Sequence, residues 1–336
     1  MRSILKKIVP NFILIKIKRW FQLFKLNKNY FEDMKRFSKF SFELGGNKTQ
    51  RHMESDLIFF YHKIEKGLSL PSPRVGFGKT NVKHLLNLLK VYSEEYGWDM
   101  TAQVSLNTLW AYYEFNKEHG LILDDLLADM ELLGKSRNSS IGNKTTSTGG
   151  VTSISKAEIE RANVNFKDFA YSRYSLRSFS PGEIDNSLIK DSVAIAQKTP
   201  SVCNRQSWKV YVYEGDKKKR VLSHQNGNAG FGDSADKVLL VTADLQDFRG
   251  PKERNQAYID GGLFSMSLIY ALHSHNIGTC ALNLSLDHKD ERKLKADVQI
   301  PESEVTLMMI ALGNFPDNFY VADSKRRDIS TVLTTY

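Results

Sequence analysis

SRYSLRSF (172–179) and TPSVCNRQSW (199–208) bound the stretch on which the reading of this chain turns. Arg173, Ser175 and Arg177 occupy alternate positions, so in an extended segment their side chains leave on one side and converge on a single anion. Two guanidiniums and a hydroxyl suit a phosphate. The second motif is a Pro-Ser-x-x-Asn turn that leads into WKVYVY (208–213), which alternates like a strand.

Working outward, the segments after residue 156 alternate between helix and strand. Residues 184–198 carry a helical pattern, and KVLLVTA (237–243) is a continuous apolar run expected for a buried strand. Residues 253–275 form a long helix that is apolar around most of its circumference, as expected of a central buried helix. Residues 279–284 and 305–312 supply two further strands. A sheet covered by helices follows.

Before this region the grammar is different. Apolar residues recur at three- and four-residue steps over 82–92, 106–115 and 121–133, which predicts a small helical domain across 46–133. Residues 134–156 (GKSRNSSIGNKTTSTGGVTSISK) are almost all small, polar or basic, and read as a flexible linker. The carboxy-terminal domain is then 157–336. At 336 residues, with 41% apolar and 25% charged residues, the chain has ordinary globular composition and room for two folding units.

The net charge of +9 belongs to one end. Residues 1–40 hold eleven Lys and Arg against Glu32 and Asp33, a surplus of nine, so the remainder is formally neutral. A nucleic-acid-binding face on the body is thereby excluded. Residues 1–45 read as a basic amphipathic arm. Large apolar groups such as Trp20, Phe21 and Phe24 are interleaved with Lys16, Lys18 and Lys25, too densely for a membrane span or a signal peptide. Three readings stay open: a helix docked on the body, a helix lying on an anionic membrane surface, or an RNA-binding arm.

Only two cysteines, Cys203 and Cys280, are present, with no metal-site spacing, and a reducing cytoplasm is the simplest setting. Gly78-Lys79-Thr80 resembles the end of a phosphate loop, but Pro73 stands where that motif needs its first glycine. His62, Glu65 and Lys66 are polar site candidates without a mechanism.

Five motifs taken in order carry a family resemblance: SRYSLRSF, TPSVCNRQSW, DGGLFSMSLIYALHSHNIGTC (260–280), MMIALGNF (308–315) and DSKRRDIS (323–330). They resemble the nitroreductase family of FMN-dependent, NAD(P)H-oxidising flavoproteins, of the kind with an amino-terminal helical extension. The resemblance covers about residues 165–336. It implies an α+β fold, a nitroreductase-like sheet flanked by helices around a long central helix, preceded by a small all-helical domain. It implies FMN as cofactor and NAD(P)H as co-substrate, with ping-pong transfer to a nitroaromatic, quinone or enone.

Residue by residue, the resemblance assigns Arg173, Tyr174, Ser175 and Arg177 to the FMN phosphate and the pyrimidine side of the flavin. Lys325 and Arg327 match a basic pair that closes on the same phosphate. Pro200, Ser201 and Asn204 match a turn that reaches the flavin of the other subunit, which implies a homodimer with shared sites. Tyr174 stands in place of a second Arg, and Ser207 in place of a Pro. Gln225, Asn226 and Asn228 are candidates for the flavin edge. No catalytic residue beyond the flavin and no metal are implied, because the cofactor carries the hydride chemistry. Two-part chains of this kind in bacterial polysaccharide gene clusters also suggest an alternative: a dehydrogenase, a flavin-modifying enzyme or a non-enzymatic dimeric scaffold in cell-envelope polysaccharide synthesis. The expected location is the cytoplasm, at the inner face of the membrane if residues 1–40 bind there.

Overall fold

A computed structural model describes residues 10–46, 48–140, 149–153, 164–319, 321–322, 326 and 328–336. Helix α1 spans Asn11–Phe40, and helices α2 (Gln50–Leu68), α3 (Lys79–Tyr96), α4 (Met100–Glu118) and α5 (Asp124–Ser140) follow. The start of α2 is fixed by a reciprocal cap: the Thr49 hydroxyl accepts from the His52 backbone N–H at 3.2 Å, and the Thr49 N–H donates to His52 Nδ1 at 3.1 Å. Asp99 caps α4 by accepting from the Ala102 N–H at 2.9 Å. The periodic residues Leu85, Leu89, Leu106 and Leu109 meet Leu57, Ile64 and Met130 in one fully buried core. Each large apolar side chain so buried stabilises the unit by roughly 1.5–3 kcal/mol.

The unit has four helices where the periodicity marked three spans. It begins at the Thr49 cap, within the expected 46–133, and α5 runs through Gly134 to Ser140, into the span read as linker. Gly149 and Gly150 lie against α4, where the Gly150 N–H donates to the Thr108 hydroxyl at 3.3 Å.

The carboxy-terminal region is the expected α+β arrangement. Its elements are α6 (Phe166–Ser172), α7 (Asn186–Ala196), β1 (Trp208–Glu214), α8 (Gly215–Leu222), β2 (Lys237–Asp244), α9 (Gln256–Ser274), β3 (Ile277–Asn283), α10 (His288–Val298) and β4 (Glu304–Asn314). The strands form an antiparallel sheet in the order β1-β2-β4-β3. Alternation along β2 serves both faces: Leu239 and Val241 pack against α7 and α9, whereas Val238 and Leu240 pack against α8 and α10. Every residue of β2 is buried, which accounts for its unbroken apolar run. Gly261 lets α9 approach β4 closely, since a Cβ there would sit 2.0 Å from Leu307 Cδ1.

The central helix departs from expectation. Its inner face is buried at Phe264, Leu268 and Leu272, but Ile259 (53% exposed), Leu263 (50%) and Met266 (36%) form an uncovered apolar stripe at helical spacing. A single copy of the chain does not use the whole apolar circumference.

The helical unit docks on the sheet region through two ion pairs whose carboxylates are buried. Arg51 pairs with Asp247 at 2.7 Å, and Arg249 pairs with Asp56. Beside this seam, within the sheet region, Arg205 pairs with Glu253 at 2.7 Å. Buried pairs of this kind contribute little net stability over apolar packing, yet breaking one leaves an uncompensated charge, so they fix a single register of docking. Among the described residues, helix α1 is held in its second half, by Phe37 in the core, an Arg36–Glu291 pair at 2.7 Å, and Asn29 against His288. The docked-helix reading of the arm therefore holds for 29–40 alone; Ile15 to Lys28 are exposed throughout.

Burial pushes the Asp247 carboxyl up to about 7 despite the nearby Arg51. An acid whose folded pKa is raised contributes most stability below its unfolded value near 3.8, and that contribution is lost as pH rises toward about 7. Wild type should accordingly lose melting temperature relative to Asp247→Asn between pH 5 and pH 8, measured by circular dichroism. A difference that is flat with pH, or that runs the other way, would contradict this assignment.

Candidate functional site

After α6, the chain runs beside β3 as an extended segment. Ser175 bridges Thr279, the Leu176 N–H donates to the Thr279 carbonyl at 2.8 Å, and the Ser180 N–H donates to the Asn314 carbonyl at 3.0 Å. Gly278 makes this possible, because a Cβ there would lie 2.3 Å from Leu176 Cδ2. Leu176 and Phe179 point into the core, and Ser175 and Arg177 therefore face outward on either side of Leu176. Among the described residues neither Arg173 nor Arg177 meets a carboxylate or a carbonyl, and Tyr174 is exposed.

Two contacts locate these cations. The Ser172 hydroxyl lies 2.9 Å from His273 Nε2 in the last turn of α9, and burial, then the Arg173 guanidinium, hold the His273 pKa below its usual value. Arg177 lies by the buried Cys280, whose thiol is pushed up by burial and drawn partly back by that guanidinium. Both features mark the carboxy-terminal end of α9 and the strand that follows it.

The Pro200–Asn204 turn sits elsewhere. Val202–Asn204 form one 3-10 turn, and the Val202 N–H donates to Asp260 Oδ2 at 3.1 Å. Asp260 is buried near the start of α9, and Gln256 Nε2 donates to its other oxygen at 2.8 Å. The Ser201 hydroxyl accepts from the Gln206 N–H at 3.0 Å. Cys203 (φ 49°), Asn204 (φ 56°) and Gln206 (φ 51°) all have left-handed backbone. Such positions are costly for residues other than Gly and Asn.

From Asp260 to His273 is thirteen residues of helix, or about 20 Å. Within one copy, then, Arg173, Tyr174, Ser175 and Arg177 form one cluster, and Pro200, Ser201 and Asn204 form another at the opposite end of the same helix. Lys325 and Arg327 lie outside the described residues.

Other candidates are accounted for by local structure. Gln225 donates to the Asn283 carbonyl at 3.1 Å and accepts from the Gly227 N–H, and Asn228 donates to the Leu222 carbonyl at 2.9 Å, so both amides serve their own loop. Gly78 to Thr80 form the start of α3, and His62 pairs with Glu65 at 3.3 Å on α2. Among the described residues no cluster of three or more His, Cys, Asp or Glu side chains is arranged for a metal. Asp260, His273 and Arg205 went unread in the sequence. The signal for Asp260 was there, since an acid inside an apolar helix must have a partner.

Residues 170–225 match the model of the Nitroreductase family, a span that takes in the first two quoted motifs, β1 and α8. No curated protein matches the chain. Among solved structures it is similar to a nitroreductase family protein from Streptococcus pneumoniae TIGR4, at 18% identity over 51% of this chain and 100% of that one, with a TM-score of 0.45. A nitroreductase-like protein from Streptococcus mutans gives 18% identity, 51% and 98% coverage, and a TM-score of 0.45. An FMN-dependent nitroreductase from Clostridium difficile R20291 gives 18%, 50% and 98%, and 0.42.

Proposed function

We propose that this chain is an FMN-dependent oxidoreductase whose flavin sites are shared between two copies. The observation that carries the proposal is the pair Arg173 and Arg177, two guanidiniums without an anionic partner among the described residues, in a segment that matches the nitroreductase family. Their donor set, with Ser175 between them, fits a phosphate of nearly two negative charges. Lys325 and Arg327 would add to that charge. Arg177 would also favour negative charge developing on the pyrimidine side of the ring.

The distance between the clusters supports a shared site. Clusters about 20 Å apart along α9 do not meet on one small ligand within a copy. A two-fold pairing through the uncovered Ile259, Leu263 and Met266 stripe would set two α9 helices against each other and carry the turn of one copy toward the arginine end of the other. Pro200, Ser201 and Asn204 would then border the partner's flavin, with Tyr174 contributing its backbone. The bound flavin supplies hydride transfer from NAD(P)H to an electron-poor acceptor such as a nitroaromatic, quinone or enone, the two substrates taking turns at one face.

Helix α1 supports a peripheral membrane location. Residues 1–31 contain no Asp or Glu, and Ile13, Ile17, Trp20, Phe21 and Phe24 share one helical stripe, edged by Lys16 on one side and by Lys18 and Lys25 on the other. Trp20 stacks on Phe24 with centroids 5.9 Å apart, yet both are exposed. No described helix is long and apolar enough to cross a membrane. An anionic bilayer surface matches both the charge and the apolar stripe.

Two tests follow. Full-length protein should bind FMN, and R173A/R177A should bind it at least about 100-fold more weakly, the loss expected of two charge-assisted hydrogen bonds; equal affinity in a fluorescence titration would overturn the reading. Wild type should pellet with phosphatidylserine-containing vesicles but not with phosphatidylcholine alone, less so at high salt. If W20E/F24E pellets as wild type does, the arm is not the membrane contact.

A further inference from the structure

The reading above leaves the four-helix unit without a task, and three left-handed residues in the Pro200–Gln206 turn without a cause. The two belong together. Each non-glycine residue held in such backbone costs about 1–3 kcal/mol, least for Asn204, and persists only where the surroundings over-determine it. Strain of this kind concentrates in functional segments.

What over-determines this turn is Arg205, the largest fully buried side chain among the described residues. It folds back under its own turn: Nε donates to the Val202 carbonyl at 3.2 Å, and Nη2 donates to Glu253 Oε1 at 2.7 Å. Glu253 is itself fixed by accepting from the Arg249 N–H at 2.7 Å. The guanidinium lies 5.7 Å from the Phe248 ring and 5.9 Å from the Phe59 ring. Phe248 belongs to the sheet region and Phe59 to α2, so this lid on the guanidinium comes from the helical unit. Phe59 is also covered by Arg249, at 4.5 Å, which pairs with Asp56 one turn earlier on α2.

We infer that the helical unit is a clamp for the Pro200–Gln206 turn, and that Arg205 is the positioning residue through which it acts. Docking of α2 closes the apolar pocket around the Arg205 guanidinium, and the closed pocket holds Val202 to Gln206 in the left-handed path. The Asn204 amide and the backbone of the turn are thereby aimed outward at one fixed angle. A planar, stackable cation is required; a lysine keeps the charge toward Glu253 but covers neither ring and reaches the Val202 carbonyl poorly. Removing Phe59 opens the pocket without touching the turn itself.

The relevance of this clamp to flavin chemistry rests on the function proposed above, but its physical content does not. Amide hydrogen exchange on full-length protein reads it directly, at the Val202 N–H held by Asp260 and the Gln206 N–H held by Ser201. F59A and R205K should each speed exchange at both amides by about tenfold or more, while β2 and the core of α3–α4 keep wild-type protection. Unchanged exchange at both amides in R205K would overturn the clamp, and that variant decides the matter even if F59A unfolds the helical unit. FMN titration of the same proteins separates the two ideas. Wild type that binds FMN, with F59A and R205K weakened, supports both. Wild type that binds none removes the flavin reading and leaves the clamp to be judged by exchange alone.

Discussion

The length of one helix governs the arrangement of the two candidate clusters in this chain. Helix α9 carries the Pro200–Asn204 turn at one end, through the buried Asp260, and the arginine segment at the other, through His273. Its rise of about 20 Å between these anchors is fixed by backbone hydrogen bonding. Neither cluster can be moved toward the other without breaking the helix on which the sheet packs. The uncovered stripe of Ile259, Leu263 and Met266 lies in the half of the helix nearer the turn. On the proposed function, that stripe is where a second copy completes both sites.

A second layer of organisation lies in the seam between the helical unit and the sheet. Apolar packing alone would permit sliding, whereas the Arg51–Asp247 and Arg249–Asp56 pairs allow one register. That register is what brings Phe59 over Arg205. The helical unit thus acts on the turn at its core, although α2 lies about 150 residues earlier in the chain. Burial of Asp247 makes the same seam sensitive to pH.

The legible parts of the fold were those written in local pattern. The apolar run at 237–243 became a strand buried on both faces, and the alternation of Arg173, Ser175 and Arg177 became an extended segment with Leu176 inward. Long-range facts were not legible. Arg51, Asp247 and Arg205 look like surface residues until their partners, roughly 50 to 200 positions away, are known. The apolar circumference of α9 was read as burial within one copy, because periodicity records how much of a helix is apolar and not which molecule covers it.

A hybrid dimer tests the shared site most directly. One chain carries R173A/R177A and a differently tagged chain carries P200A/N204A. Each variant alone builds only defective sites, but in the hybrid one site joins the intact arginines of one copy to the intact turn of the other. The account predicts one tightly bound FMN per purified hybrid dimer, and weak binding by either variant alone. Weak binding by the hybrid, or full binding by the P200A/N204A protein alone, would contradict it.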